Sequence, residues 1–299
     1  MVRVVTLSQA ELPHGNDDVL EDTIARLNQA AAFQPDIACL PEVFPRRDAE
    51  PVPGPVTSRL AKWAQAHSSY VLFGMKTTHD GAIYNSAVLI DRKGQMVGQY
   101  NKMHPTEGEL KEGATPGGTE APVFETDFGA IGVQICFDIN WYDTWQRLKR
   151  KGAKIVFFPS AYPAAQQLSA LALVNQFYIV SSAMRGSSRI YDITGQVLSS
   201  SGHYQPWAAA VLSPGKRLFE MDYHVPKVRE IQQKYRSRVE VVWLHDDDWF
   251  TLASLDPDLT VEDIMSEFGL TPLDDYRARA TVAIDKARAA SATKAKPAN

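Results

Sequence analysis

Cysteine is nearly missing from this chain: Cys39 and Cys136 are its two thiols in 299 residues. Two cysteines so far apart make no disulfide framework and no zinc-ligand spacing. A reducing compartment is the simplest home for them. Long apolar runs are missing too; none approaches the ~18 residues of a membrane span. The opening "MVRVVTLSQAEL" turns polar too soon for a signal peptide, so the expected location is cytoplasmic. There is no excess of positive charge. A formal net charge of -4 leaves no basic footprint for nucleic acid or for an anionic membrane.

What is present is core. With 44% hydrophobic and 22% charged residues, the composition suits a globular protein of one large domain or two ordinary ones. Val2 to Leu7 reads as a buried strand, and Asp18 to Phe33 as a helix with Leu20, Ile24, Leu27 and Ala31 on one stripe. Further strands are Ile37 to Leu40, "YVLFGMK", and a pair within "AIYNSAVLIDRKGQMVGQYNK" that turns at Lys93-Gly94. A loop from Pro105 to Pro122 precedes the pair in "VFETDFGAIGVQIC", and "KIVFFPS", "FYIVSSA", "SRIYDITGQVLSS" and "WAAAVLS" follow as strands. Helices are expected near Ser58 to His67, Trp145 to Lys151 and Ala164 to Gln176.

Strands alternate with helices, but hairpins intrude. A mixed sheet system covered by helices fits better than a simple parallel chain of βαβ units. One domain is expected over 1–299, with a core to about 219, an extension over about 220–288 and a frayed small-residue tail over about 289–299. In the extension, Val225 to Arg236, Val261 to Phe268 and Leu273 to Ala290 read as helices and "VEVVWL" as a strand.

Polar residues at strand ends are where chemistry is best held beside solvent. Glu42 follows one apolar strand, Lys102 another, and Cys136 ends a third. Each has an ordinary reading: a solvated turn, a surface charge, an inert core thiol. Together they make a nucleophile, a carboxylate to take its proton and a cation to stabilise an oxyanion.

The segments "CLPEVF", "YNKMHPTEGE" and "GVQICFDINW", in that order, resemble the nitrilase superfamily of carbon–nitrogen hydrolases, and the likeness runs from Val2 to about Leu218. The resemblance implies an α/β fold, a four-layer α-β-β-α sandwich that pairs into a homodimer or larger homo-oligomer, here with a helical C-terminal extension. It implies Glu42 as base, Lys102 as oxyanion stabiliser, Cys136 as nucleophile and the Phe137 N–H as the second oxyanion donor, with no cofactor and no metal. A second loop glutamate is Glu109 or Glu107, with Glu112 as a third candidate. Tyr142-Asp143 and Gln146 depart from the usual pattern of the cysteine loop.

Nitrile-cleaving relatives tend to carry Trp-Glu after the cysteine; this chain has Phe137-Asp138. Relatives acting on N-carbamoyl-D-amino acids tend to place arginine there; this chain has Ile139-Asn140-Trp141. Both favour a small-molecule amide or carbamoyl substrate, with nitrile hydrolysis, acyl transfer to an amine and a non-catalytic binding protein as alternatives. Phe44, Trp141 and Tyr162 are candidates for an apolar substrate wall, and Arg46 and Arg47 for a carboxylate site. His104 beside Lys102 invites a Cys–His reading, and "HDDDWF" a metal site; consecutive aspartates do not converge on one ion, and a solvated turn is the plainer reading.

Overall fold

The structure, a computed structural model, describes residues 1–10, 19–45 and 48–294. The chain divides into two compact units, Met1–Pro214 and Gly215–Asn299.

The first unit holds strands β1 (Val2–Leu7), β2 (Ile37–Cys39), β3 (Tyr70–His79), β4 (Ala82–Ile90), β5 (Met96–Asn101) and β6 (Val123–Thr126). They are followed by β7 (Gly129–Val133), β8 (Ile155–Ser160), β9 (Tyr178–Ala183), β10 (Arg189–Tyr191), β11 (Val197–Ser200) and β12 (Trp207–Leu212). Its helices are α1 (Val19–Ala30), α2 (Pro55–His67), α3 (Glu107–Lys111), α4 (Tyr142–Arg150) and α5 (Ala165–Asn175). One sheet has the order β12-β1-β2-β3-β4-β5 and the other β11-β10-β9-β8-β7-β6. In each, the central pairs are parallel and the outer ones antiparallel. Hairpins on a parallel centre explain why the strand pattern did not read as simple βαβ units.

The two sheets are stitched face to face by buried hydroxyls. Thr6 Oγ1 donates to the Ser181 carbonyl at 2.7 Å, and Ser182 Oγ to the Leu7 carbonyl at 2.7 Å. Helices α1 and α2 cover the outer face of the first sheet: Leu20, Ile24, Leu27, Leu60 and Trp63 pack against Val5, Leu40, Val71, Phe73 and Val88. On the second sheet, Trp145 of α4 lies 5.8 Å from Phe158 of β8, ring centre to ring centre. The unit is thus the expected α-β-β-α sandwich.

One expectation needs correction here. The stretch from Pro105 to Pro122 is not loop throughout, because Thr106 and Glu109 form a capping box that starts α3. The signal, Thr-x-x-Glu, was legible in the sequence; so short a helix follows from the box rather than from an apolar stripe.

The second unit carries β13 (Arg217–Glu220), α6 (Val225–Tyr235), β14 (Val239–Leu244), β15 (Trp249–Ser254), α7 (Val261–Phe268) and α8 (Leu273–Lys294). The three expected helices and the expected strand are present. The unit also contains a three-stranded antiparallel sheet, β13-β15-β14, so it is more than a helical extension. Its own core stacks Phe219 on Phe250 at 5.0 Å, with Val228, Ile231 and Ile264 around them. His245–Asp247 form an exposed turn before β15. Among the described residues no group of three metal-ligating side chains converges, and no helix is long and apolar enough to cross a membrane.

Leu60 is wholly buried between α2 and the first sheet. Leu60→Ala is expected to cost about 3 kcal/mol, read as a lowered midpoint in chemical denaturation with an unchanged slope.

Candidate active site

Strand β2 ends because Pro41 offers no N–H to continue the ladder. The chain then turns sharply, with Val43 at φ 44°, an uncommon conformation for a β-branched residue. Gly74 of β3 clamps this turn: its N–H donates to the Pro41 carbonyl at 3.1 Å, and its carbonyl accepts from the Phe44 N–H at 3.1 Å. A Cβ on Gly74 would stand 2.5 Å from Glu42 Cα. Glycine here is a condition for the placement of Glu42, whose side chain is only 6% exposed.

Lys102 follows β5. Its N–H donates to the Asn85 carbonyl at 2.8 Å, and its carbonyl accepts from Gly117 at 2.8 Å. A Cβ on Gly117 would meet the Asn101 carbonyl at 2.2 Å, so this approach also requires glycine. The ammonium, 1% exposed, reaches Glu42 Oε1 at 2.9 Å and both oxygens of Glu109, at 3.0 and 2.9 Å. Burial works against the charge, but Glu42, Cys136 and the hydrogen bonds to both glutamates outweigh it and push Lys102 up. Burial likewise opposes the Glu109 carboxylate; Lys102, the Thr106 N–H and Asn85 prevail and hold it low.

Of the three loop glutamates, Glu109 is the one that meets Lys102. Its capping-box bond to the Thr106 N–H, 2.7 Å, aims it inward. Glu107 lies on the exposed first turn of α3, and Glu112 lines the cavity without reaching Lys102. Asn85, which sequence reasoning missed, donates from one NH2 to Glu42 Oε1 and Glu109 Oε1, both at 2.7 Å.

Cys136 opens a tight turn, Cys136–Asn140, beyond β7, and sits at φ 45°. A side chain in that region costs about 1–3 kcal/mol and persists only when its surroundings determine it. Asp138, wholly buried, does this. Its Oδ2 accepts from the Ile135 N–H at 3.0 Å and the Tyr100 hydroxyl at 2.8 Å, and its Oδ1 from the His104 N–H at 2.9 Å. Burial first, then Asp138, raises the Tyr100 phenol and keeps it a donor. Asp138 therefore ties the cysteine turn to β5 and to the segment after Lys102.

His104 Nδ1 lies 2.8 Å from Asp138 Oδ1, and its ring stacks on Trp141 at 3.7 Å. Both contacts brace the turn. The Cys136 thiol is pushed up to about 11 by burial and by Glu42, against the opposing pull of Lys102, the Ala161 N–H and the Ser160 hydroxyl. A thiol that holds its proton needs a base.

Glu42, Asn85, Lys102, Glu109 and Cys136 line one cavity of about 410 Å³. The expected apolar wall is placed differently. Phe44 is fully buried and packs edge-on against Phe73, 6.1 Å away, so it faces the core instead of the cavity. Trp141 is part of the outer brace of the cysteine turn. Tyr162 stands close enough that Cys136 and Glu42, after burial, raise its phenol. Arg46 and Arg47 lie outside the described residues.

Residues 2–211 match the carbon-nitrogen hydrolase family. The chain belongs to that family. This carbon-nitrogen hydrolase is 32% identical over 164 residues to the deaminated glutathione amidase of Mus musculus, covering 48% of this chain and 49% of that one. It is 27% identical over 234 residues to the omega-amidase of Xenopus tropicalis, covering 70% and 83% respectively. The chain spans about half to two thirds of the length of the first such relatives.

Among solved structures, the carbon-nitrogen hydrolase of Helicobacter pylori G27 superposes with a TM-score of 0.64 at 18% identity, over 79% of this chain and 94% of that one. A variant of the amidase from Nesterenkonia sp. AN1, with the acetamide moiety of fluoroacetamide added covalently at its active-site cysteine, gives 0.63 at 17%, over 78% and 96%. At these identities the likeness is one of fold alone.

Two outcomes are expected. Gly74→Ala leaves a folded protein by circular dichroism but lowers kcat/KM on the order of 10²-fold, because it displaces Glu42. Alkylation of Cys136 by iodoacetamide, followed by intact mass, keeps rising between pH 8 and 10 as the thiolate fraction grows toward a value of about 11. Cys39 stays unmodified, since full burial pushes its thiol up further.

Proposed function

We propose that this chain hydrolyses a non-peptide C–N bond of a small-molecule amide or N-carbamoyl compound through a thioester on Cys136. The observation that carries this reading is the meeting of Glu42, Lys102 and Cys136 at one cavity, with Glu42 Oε2 buried and free of any donor.

Cys136 Sγ attacks the amide carbon while its proton passes to Glu42. The tetrahedral oxyanion is stabilised by the Lys102 ammonium and the Phe137 N–H, contacts worth about 10²–10³ in rate per donor. Collapse breaks the C–N bond, and Glu42 returns the proton to the departing nitrogen. Water, deprotonated by the same glutamate, then cleaves the thioester and restores the thiol. Glu109 keeps Lys102 in place and balances its charge. Every proton in the cycle moves through Glu42, which fits a thiol that is neutral at rest.

The names of the relatives, two amidases and a beta-ureidopropionase of Arabidopsis thaliana, support amide and N-carbamoyl substrates over nitriles. A single domain core with its C-terminal extension, a homodimer or larger homo-oligomer and a cytoplasmic location belong to the same reading. They rest on the family resemblance and on the thiol-poor composition.

Ammonia release from propionamide, succinamic acid, N-carbamoyl-β-alanine and propionitrile tests it. The amides or the carbamoyl compound turn over, an acyl adduct appears on Cys136 by mass spectrometry, and Cys136→Ala removes at least ~10³-fold of the rate. Turnover that survives the alanine change rejects the mechanism. Hydroxamate formed on adding hydroxylamine, with no free acid, would assign acyl transfer in place of hydrolysis.

A further inference from the structure

The four carboxylate oxygens around Lys102 are held unequally. Glu109 Oε1 accepts from Asn85 and Lys102, and Glu109 Oε2 from Lys102 and the Thr106 N–H. Glu42 Oε1 accepts from Asn85 and Lys102. Glu42 Oε2 accepts from nothing. Three oxygens are doubly held and one is bare.

We propose that Asn85 is a positioning residue that, with Lys102, fixes Glu42 so that Oε2 is the oxygen that takes the thiol proton. This rests on the reading of Glu42 as the base. Lys102 alone does not impose the asymmetry. Its ammonium has three donors and meets three oxygens, and a carboxylate held at one oxygen by one point charge turns easily about its last torsion. The second contact comes from Asn85, a planar amide on β4, which locks Oε1 in place.

The direction of that amide is unambiguous. Reversed, it would set its own oxygen against two carboxylate oxygens at 2.7 Å. The choice of residue also points to its NH2. Asn85 is buried, and its Oδ1 has no partner. An apolar side chain of similar volume would fill the position without that cost. What asparagine brings is a neutral group that donates to two like charges at once, adding no charge of its own.

Hydrogen bonds to the ionised form also lower a carboxylate's proton affinity, so removing them raises it. The titratable groups facing Glu42 are Lys102 after β5, Glu109 on α3, Cys136 after β7 and Tyr162 after β8. Lys76 of β3, Asp48 and Glu112 line the same cavity. All of these are unchanged when Asn85 alone is replaced.

The probe is 2-chloroacetamide, whose alkylation of Cys136 is counted by intact mass between pH 3 and 9. Sγ forms the S–C bond, chloride leaves with the C–Cl pair, and the thiol proton goes to Glu42 Oε2. In wild type the rate has an acidic limb set by the glutamate pair. Asn85→Leu moves that limb up by about one pH unit, which slows alkylation by up to roughly tenfold at a pH low on the limb, while the thermal midpoint stays close to wild type. Asn85→Asp, matched in size, serves if the leucine variant does not fold; a third carboxylate in the cluster moves the limb up as well.

A limb at the wild-type position in either folded variant makes Asn85 a packing residue and overturns the proposal. Glu42→Gln, run alongside, separates the two readings. Loss of its acidic limb leaves the base assignment standing, so the Asn85 variants alone decide. An acidic limb retained in Glu42→Gln rejects the base reading, and the proposal falls with it.

Discussion

The buried ammonium of Lys102 is the constraint around which the site is organised. Removing one cation from water costs several kcal/mol, and here it is offset by two carboxylates at hydrogen-bond distance, Glu42 and Glu109. Two carboxylates so close together repel one another in turn. Asn85 donates to an oxygen of each, and the Thr106 N–H to the second oxygen of Glu109. The capping box of α3, the close pass of Gly117 and the clamp of Gly74 on the Glu42 turn all fix where these groups stand. Each is a local backbone feature that serves one cation and two carboxylates held together out of solvent.

Cys136 is supported by a different device. Its turn stores strain at Cys136, as the turn of Glu42 does at Val43, and neither conformation would persist in an isolated peptide. Asp138 holds the first from below, gathering donors from Ile135, Tyr100 and His104. Because Tyr100 belongs to β5 of one sheet and Ile135 follows β7 of the other, a single carboxylate sets the distance between the lysine and the cysteine sides of the cavity. The stacked pair His104–Trp141 closes the outside of this brace. Precision comes from strand ends and bound turns, since groups carried on rigid elements lose little when substrate arrives.

The electrostatics divide the work. Lys102 favours a negative sulfur, but burial and Glu42 disfavour it more, and the thiol is pushed up to about 11. The resting site therefore holds its charge on the glutamate–lysine set and keeps the sulfur neutral. A neutral thiol in a buried cavity resists adventitious oxidation, which attacks thiolates. On the proposed reading, reaction depends on a proton acceptor that is oriented and bare at one oxygen, as Glu42 is.

Much of this was legible in the residues. Apolar strands that stop at Pro41, Asn101 and Ile135 announce their own ends, and a glutamate, a lysine and a cysteine beside three such ends are a chemical set before any fold is known. Thr106-x-x-Glu109 was equally local, and could have selected Glu109 over Glu107 from the capping pattern alone. Asn85 was not legible: inside "YNSAVLID" it reads as one more strand residue, and only the pairing of β4 with β3 and β5 brings its amide between two glutamates distant in sequence. Asp138 was hidden in the same way, since two of its partners, Tyr100 and His104, lie more than thirty residues away in sequence. Phe44 misled because an aromatic near a strand end can face the core or the cavity, and its partner Phe73 comes from β3. The sequence by itself determined which groups are present and that they sit at strand ends, because those features are encoded within a few residues. The tertiary structure alone decided which oxygen is bare, that the Cys136 thiol is pushed up and which aromatic turns inward, because each depends on contacts between segments that only folding joins.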